Sequence, residues 1–377
     1  MSAFVENLAV ALDDRFGDRA RRESRERIEA AGCVLVERIG LDDRTLAWID
    51  GTFGGTWSRE AFRAQNVVAT RDGDPVGFAS FAPQGLRFFW LQGLAKNPGV
   101  GVFGPFGVAQ TERGGAIGSG LLTLALCALR RLGYSTAIVP AVGSERLAGY
   151  YARTCGAYIV ERHSLEAGEE APVRTVVMAS GAGTNFSAVA DAVAQHRLSL
   201  EIVQVVAGRS AAGVRERARA IGVAESVVPW QRHLETREQY GVRLRKVVTD
   251  LRPELVLLLG WMHVLDASFV DAFSAILNLH PAFLPHDPSH DTVGMPDGTH
   301  IPVFRGPAAL RDAVRAGSRW TGSSVHRVTA DADRGEIVMR VPMPMEPEEP
   351  EERAYERLRE VEHALVPRAI RAWTYER

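Results

Sequence analysis

The chain has 377 residues, 46% of them apolar and 24% charged, with a formal net charge of -2. That length exceeds what one core usually sustains and divides most naturally into two domains, while the composition excludes a disordered or fibrous protein. The near-neutral balance gives no basic excess for nucleic acid, and no window free of charge reaches membrane-spanning length.

The first residues read as helical, and Asp13, Asp14, Arg15 and Asp18 interrupt any run that could serve as a secretory leader. Cys33, Cys127 and Cys155 stand far apart, with neither metal spacing nor a disulfide framework, so the expected compartment is the cytoplasm. VVATRDGDPVGFASF (Val67 to Phe81) has the turn residues of a hairpin, and GVGVFGPFGVA is a strand leading into a glycine-rich turn. A helix from Ser119 to Leu132, a strand from Tyr134 to Pro140, a helix from Glu145 to Cys155 and a strand near Tyr158 to Glu161 follow. This half is a mixed-sheet α/β domain, assigned to residues 1–166.

EAGEEAPVR lacks either periodicity, and the linker is set at 167–173. A second domain, 174–377, opens with the strand Thr175 to Ala179, the turn SGAGTNF and the amphipathic stretch SAVADAVAQH. EIVQVVAG, the helices AAGVRERARAIG and EQYGVRLRKVVTDLR, and the strand Leu255 to Leu259 continue the alternation. Short apolar strands between helices imply a Rossmann-like parallel sheet covered on both faces, with ligands at the carboxyl ends of its strands.

In LNLHPAFLP, Asn278 and His280 occupy alternate positions of a short strand and so face the same way. An amide donor and an imidazole together suit acyl transfer to an amine, where an oxyanion must be stabilised and protons moved. In isolation the pair reads more readily as a turn cap and a hydrogen-bonded core histidine. The turn Ser180 to Asn185 opens a helix, so its glycines serve either a cradle of free backbone N–H groups for phosphate or simply tight packing.

These segments resemble the 10-formyltetrahydrofolate-dependent formyltransferases of the phosphoribosylglycinamide type. The signature Asn-x-His-Pro-Ser-Leu-Leu-Pro appears here as Asn278 to Pro285 with Ala282 and Phe283 substituted, and Asp333 in SSVHRVTADADRG falls on the catalytic aspartate, with Arg334 replacing a glycine. The resemblance implies catalysis by Asn278, His280 and Asp333. It also implies a phosphate loop of Gly181, Ala182, Gly183, Thr184 and Asn185, and a folate pocket lined by Met262, His263, Val264 and Leu265, His263 standing in place of an arginine. Glu362 would hold ribose hydroxyls, with Arg359 adding charge beside it. The stretch HDPSHDTVGMPDGTHIPVFRGP is about a dozen residues longer than its counterpart. Its His286, Asp287, His290 and Asp291 are read as a solvated polar loop, and no metal is expected.

The first half resembles the GNAT acetyltransferases. Its acyl-CoA loop is Arg113-Gly114-Gly115-Ala116-Ile117-Gly118, with Ala116 in place of a glycine, and GYYARTCGAYIVER puts Tyr151 where a tyrosine protonates the departing thiolate. Glu112 and His163 are general-base candidates by chemistry alone. The combined expectation is a formyltransferase using 10-formyltetrahydrofolate and a phosphoribosyl amine, fused to an acyltransferase using acetyl-CoA or another acyl-CoA. The rivals are a hydrolase that releases formate from the same donor, and a formyltransferase whose first half only binds CoA or acts as a scaffold. The expected partner is a small-molecule amine, not nucleic acid or membrane; a homodimer is compatible with the sequence but not specified by it.

Overall fold

The computed structural model describes residues 4–85, 88–91, 93–165 and 171–377. The chain forms two compact units, Met1–Gly168 with Thr374–Arg377, and Glu169–Trp373. Residues 166–170, which include 167–170 of the expected linker, lie outside the described residues; Val173, the linker's last residue, is already strand and is buried in the second unit's core.

The first unit runs β1 (Phe4–Ala11), α1 (Asp18–Ala30), β2 (Val34–Ile39), α2 (Asp43–Thr52), α3 (Trp57–Phe62), β3 (Gln65–Arg71), β4 (Asp74–Phe81), β5 (Val100–Val108), α4 (Ala116–Arg131), β6 (Thr136–Val142), α5 (Glu145–Cys155) and β7 (Tyr158–Ser164). Its mixed sheet has the order β2-β3-β4-β5-β6-β1-β7. The first described element is therefore a strand, correcting the helical expectation, and it fills the slot between β6 and β7. FVENLAVA misleads because its polar residues break strand alternation. Inside the sheet both find partners: Glu6 accepts from Arg162 Nε at 2.9 Å, and Asn7 accepts from the Ala141 N–H at 3.2 Å. The β3–β4 hairpin turns on Asp72 and Gly73, both at positive φ (52° and 86°), as a type I′ turn requires. β5 pairs antiparallel with β4 but parallel with β6 only over Val100–Val102, so β5 and β6 stop pairing before the glycine turn.

The second unit runs β8 (Val173–Ala179), α6 (Thr184–Ala194), β9 (Leu200–Ala207), α7 (Val214–Ala220), β10 (Glu225–Val227), α8 (Arg237–Asp250), β11 (Leu255–Leu258), α9 (Ala267–Val270), β12 (Ile276–His280), β13 (Thr292–Gly294), β14 (His300–Pro302), α10 (Ala309–Arg315), β15 (Trp320–Arg327), β16 (Ile337–Pro344) and α11 (Glu351–Thr374). The sheet order is β10-β9-β8-β11-β12-β15-β16, parallel through β12 and antiparallel thereafter. Val177 and Ala179 pack on one face with Phe186 and Ile370, while Val176 and Met178 pack on the other with Tyr240 and Phe269. Cover on both faces is why these strands read as unbroken apolar runs. The long insert forms a small hairpin, β13–β14. Among the described residues no helix is long and apolar enough to cross a membrane.

Candidate active site

β8, β11 and β12 are adjacent parallel strands, so the segments leaving their carboxyl ends gather along one rim of the sheet. β12 ends on His280, and Asn278 lies two residues earlier on the same strand face. In the antiparallel pairing of β12 with β15, Asn278 stands directly opposite His326. His326 Nδ1 lies 2.9 Å from the Arg327 carbonyl and so carries the proton there; its Nε2 then accepts from Asn278 Nδ2 at 3.1 Å.

Asp333 is the hub. Its Oδ1 is 3.5 Å from Asn278 Nδ2, from His280 Nδ1 and from His326 Nε2, while Oδ2 accepts from the Gly306 N–H at 2.8 Å. Its φ of 54° is left-handed, a conformation Asp tolerates better than most residues. Burial pushes its carboxyl up, but the neighbouring His326 and His280 and the Gly306 N–H outweigh that and hold it well below the usual carboxylate range. His280 is buried, which lowers its pKa, against the opposing pull of Asp333 and of the Phe304 carbonyl 2.8 Å from Nε2. Asn278, His280 and Asp333 thus meet as expected. His326, Phe304 and Gly306 were not singled out, because nothing local in the sequence encodes a cross-strand register or the return path of a long loop.

The turn after β8 is shaped by glycine. Gly183 sits at φ +79°, and a Cβ there would lie 2.6 Å from the Val214 backbone. Arg209 Nε and Arg217 Nε donate to the carbonyls of Ser180 and Ala182 at 2.9 and 2.8 Å, placing two cations on the loop that sequence reasoning overlooked. Asn185 Nδ2 donates to Glu362 Oε2 at 2.8 Å, so α11 brings Glu362 to the cradle. Ser180 Oγ and Asn185 Oδ1 are buried without a hydrogen-bond partner, as is Arg359 Nε, whose guanidinium lies 5.3 Å from the Tyr355 ring centroid. Gly183→Ala should cost roughly 1–3 kcal/mol through backbone strain and the clash with α7. A urea midpoint unchanged from the parent's would contradict this.

After β11, Met262 and Val264 remain half-exposed, while Leu265 is buried against α8 and α9 and so supports the segment rather than facing a ligand. His263 packs edge-on to Trp261, Tyr240 and Trp230 at 5.5, 5.5 and 6.2 Å. Burial, then the charges of Arg232, Arg237 and Arg209, push its pKa down. The indole N–H groups of Trp230 and Trp261 are buried without a partner.

In the first unit, Gly114 (φ +89°) and Gly115 are exposed, and Gly115 caps α4. Ala116 is the first helical residue, so its methyl group demands no unusual φ. Ile117 is buried, and Arg113 Nε folds back onto the Val108 carbonyl at 3.1 Å. Tyr151 is buried in the unit's core, edge-on to Phe103. The Tyr150 hydroxyl lies 3.6 Å from where a Cβ on Gly118, the last residue of this loop, would stand. The helix phase separates the neighbours, and sequence alone did not give it. Glu112 pairs with Arg71 at 2.9 Å, and His163 with Glu161 at 3.2 Å.

Comparison with known proteins matches residues 173–370, more than half of the chain, to the formyl transferase family. The chain belongs to that family. The formyltransferase unit is 30% identical over 208 residues to phosphoribosylglycinamide formyltransferase of Dictyostelium discoideum, covering 52% of this chain and 95% of that one. Against the Escherichia coli (strain K12) enzyme of the same name the identity is 29% over 196 residues, covering 52% and 84%. The trifunctional purine biosynthetic protein adenosine-3 of Drosophila pseudoobscura pseudoobscura is 30% identical over 200 residues, 52% of this chain, but the chain spans only 13% of that protein's length. Residues 38–157 match the GNAT acetyltransferase family. That match begins after β1 and α1, although β1 is a strand of the sheet and α1 packs on α4.

Proposed function

We propose that the formyltransferase unit transfers a formyl group from 10-formyltetrahydrofolate to a primary amine carried by a phosphoribosyl, glycinamide ribonucleotide-like acceptor. The observation that carries this reading is the convergence of Asn278, His280 and His326 on one buried-side carboxylate, Asp333, at the rim that also holds the glycine cradle. Met262 and Val264, left half-exposed beside the unpartnered Trp261 N–H, suit a flat heteroaromatic ring bearing acceptor atoms. 10-Formyltetrahydrofolate supplies the formyl carbon to the attacking amine.

The residues then divide the work by chemistry. One N–H of Asn278 goes to His326, and the other, 3.5 Å from Asp333, is the donor for the formyl oxygen as it gains charge. His280 handles the proton: the attacking amine loses one, the departing nitrogen gains one, and the imidazole ends as it began. Asp333, anionic throughout, stabilises the imidazolium. The cradle N–H groups at the start of α6 bind the acceptor's phosphate, and Glu362 and Asn185 bind its hydroxyls.

The GNAT unit is proposed to bind acetyl-CoA or another acyl-CoA by its pyrophosphate at Arg113–Gly118 and to pass the acyl group to an amine. The exposed glycines ahead of α4, a helix of 16 residues, support that binding. Both units would act on small molecules.

Donor consumption by the purified chain, with and without glycinamide ribonucleotide, tests the main reading. Nucleotide-dependent turnover lost in Asn278→Ala and His280→Ala is the expected result. Equal turnover without acceptor would instead identify a hydrolase.

A further inference from the structure

The insert between His286 and Pro307 sends its final segment back across the reaction centre. The Phe304 carbonyl lies 2.8 Å from His280 Nε2, and two residues on the Gly306 N–H donates to Asp333 Oδ2 at 2.8 Å. A loop that the sequence reads as about a dozen residues longer than the family's counterpart therefore touches both partners of the central pair. Something must hold it in place, since a carbonyl displaced by an ångström no longer selects a tautomer.

The sequence offers an anchor at its other departure from the family pattern, Arg334. The Arg334 guanidinium donates to Asp291 Oδ1 at 3.0 Å and to the Pro288 carbonyl. Arg305, inside the returning segment, donates to the same Asp291 oxygen at 2.7 Å and to the His290 carbonyl at 2.7 Å. The Val303 N–H donates to the Asp291 carbonyl at 2.9 Å. A single exposed ion pair holds little, but here two guanidiniums converge on one carboxylate and on neighbouring carbonyls, so the outgoing and returning arms are tied together. One guanidinium comes from the residue after Asp333 and the other from the residue between Phe304 and Gly306.

We infer that Arg334 is a positioning residue: with Asp291 and Arg305 it clamps the insert so that the Phe304 carbonyl and the Gly306 N–H hold His280 and Asp333 in their reactive arrangement. The glycine lost after the aspartate and the residues gained in the loop are then one change rather than two. The inference rests on the formyl-transfer reading above. The charged and titratable groups facing His280 are Asp333, His326 and Arg305. With the Phe304 carbonyl at Nε2 and Asp333 at Nδ1, both ring nitrogens meet acceptors, an arrangement that favours the imidazolium. Releasing the clamp removes the first acceptor.

The test pairs kinetics with a substrate-free measurement on the full chain. Arg334→Gly should lower kcat about tenfold or more while the donor KM stays within about threefold, because positioning rather than uniform binding is lost. Asp291→Asn should do the same, the double variant should fall little below the worse single one, and Arg334→Lys should recover part of the rate. In chain labelled with nitrogen-15 histidine, with the His280 signal identified from His280→Gln, the parent should hold its Nε2 proton. Arg334→Gly should show mixed tautomers and a lower titration midpoint. An unchanged His280 signal in Arg334→Gly overturns the proposal, as does a kcat within about threefold of the parent's. A clamp-dependent His280 signal in a chain with no formyl transfer would leave the clamp standing and refute the functional reading.

Discussion

Asp333→Asn should lower kcat for formyl transfer by about a thousandfold, in the range that removing a charge partner from a positioned acid–base group costs. The amide keeps the size and tolerance of φ 54° that the site demands, so the backbone has no reason to move. What disappears is the negative charge that faces His280 and His326 at 3.5 Å. Because Asp333 raises the His280 pKa against burial, its neutralisation lets that pKa fall further. A step requiring the imidazolium then fails at lower pH, and the alkaline limb of kcat should move down. Stability follows the sign of the aspartate's own shift. A carboxyl held below its ordinary range contributes stability above the unfolded pKa, and that contribution is lost as pH falls through the folded value. The variant should therefore be less stable than the parent at neutral pH, with the gap narrowing in acid. Steady-state kinetics across pH, with urea titrations at neutral and acid pH, would decide it. A kcat within about tenfold of the parent's would remove Asp333 from the reaction.

Glu362→Gln is expected to strengthen the fold while weakening the acceptor site. Glu362 is buried, and burial pushes its carboxyl up to about 7, against the opposing Asn185 N–H and Arg359 charge. A group raised from 4.5 to about 7 in the folded state contributes stability that is fully present below the unfolded pKa and lost as pH rises through the folded one. At pH 8 the ionised carboxylate costs roughly 3 kcal/mol relative to acid conditions. Glutamine keeps an oxygen for the Asn185 N–H at that position without the charge. The two proteins should therefore be equally stable near pH 4 and diverge between pH 4.5 and 7, with Glu362→Gln the more stable above that window. If Glu362 accepts from substrate hydroxyls, as proposed, the acceptor KM should rise about tenfold or more, since hydrogen bonds to a charged partner are the stronger ones. Parallel stability curves across that window would show that the carboxylate carries no burial penalty. Retaining a charge that destabilises the fold is the signature of a group kept for binding.

What the sequence by itself determined is local. The Asp72–Gly73 pair specifies its hairpin because both residues tolerate positive φ. Gly183 specifies the cradle because the turn needs a positive φ, here +79°, that glycine adopts without strain. The apolar runs of β8, β9 and β11 announce a sheet covered on both faces, and two-residue spacing puts Asn278 and His280 on one side of β12. Each of these follows from residues within a few positions of one another.

Tertiary structure decided everything that depends on register or on a returning chain. His326 faces Asn278 only because of the β12–β15 pairing, and Phe304 and Gly306 reach the centre only because the insert folds back. The slot for β1 exists only once β6 and β7 are in place, and within the sheet its Glu6 and Asn7 acquire the partners that make their burial tolerable. Tyr150 lies against Gly118 of the glycine loop while Tyr151 joins the core because one helical step, about 100°, turns adjacent side chains to different surroundings, and the sheet decides which of them becomes core. Propensity and periodicity act along the chain, whereas the energies of packing and pairing are set between segments far apart in it.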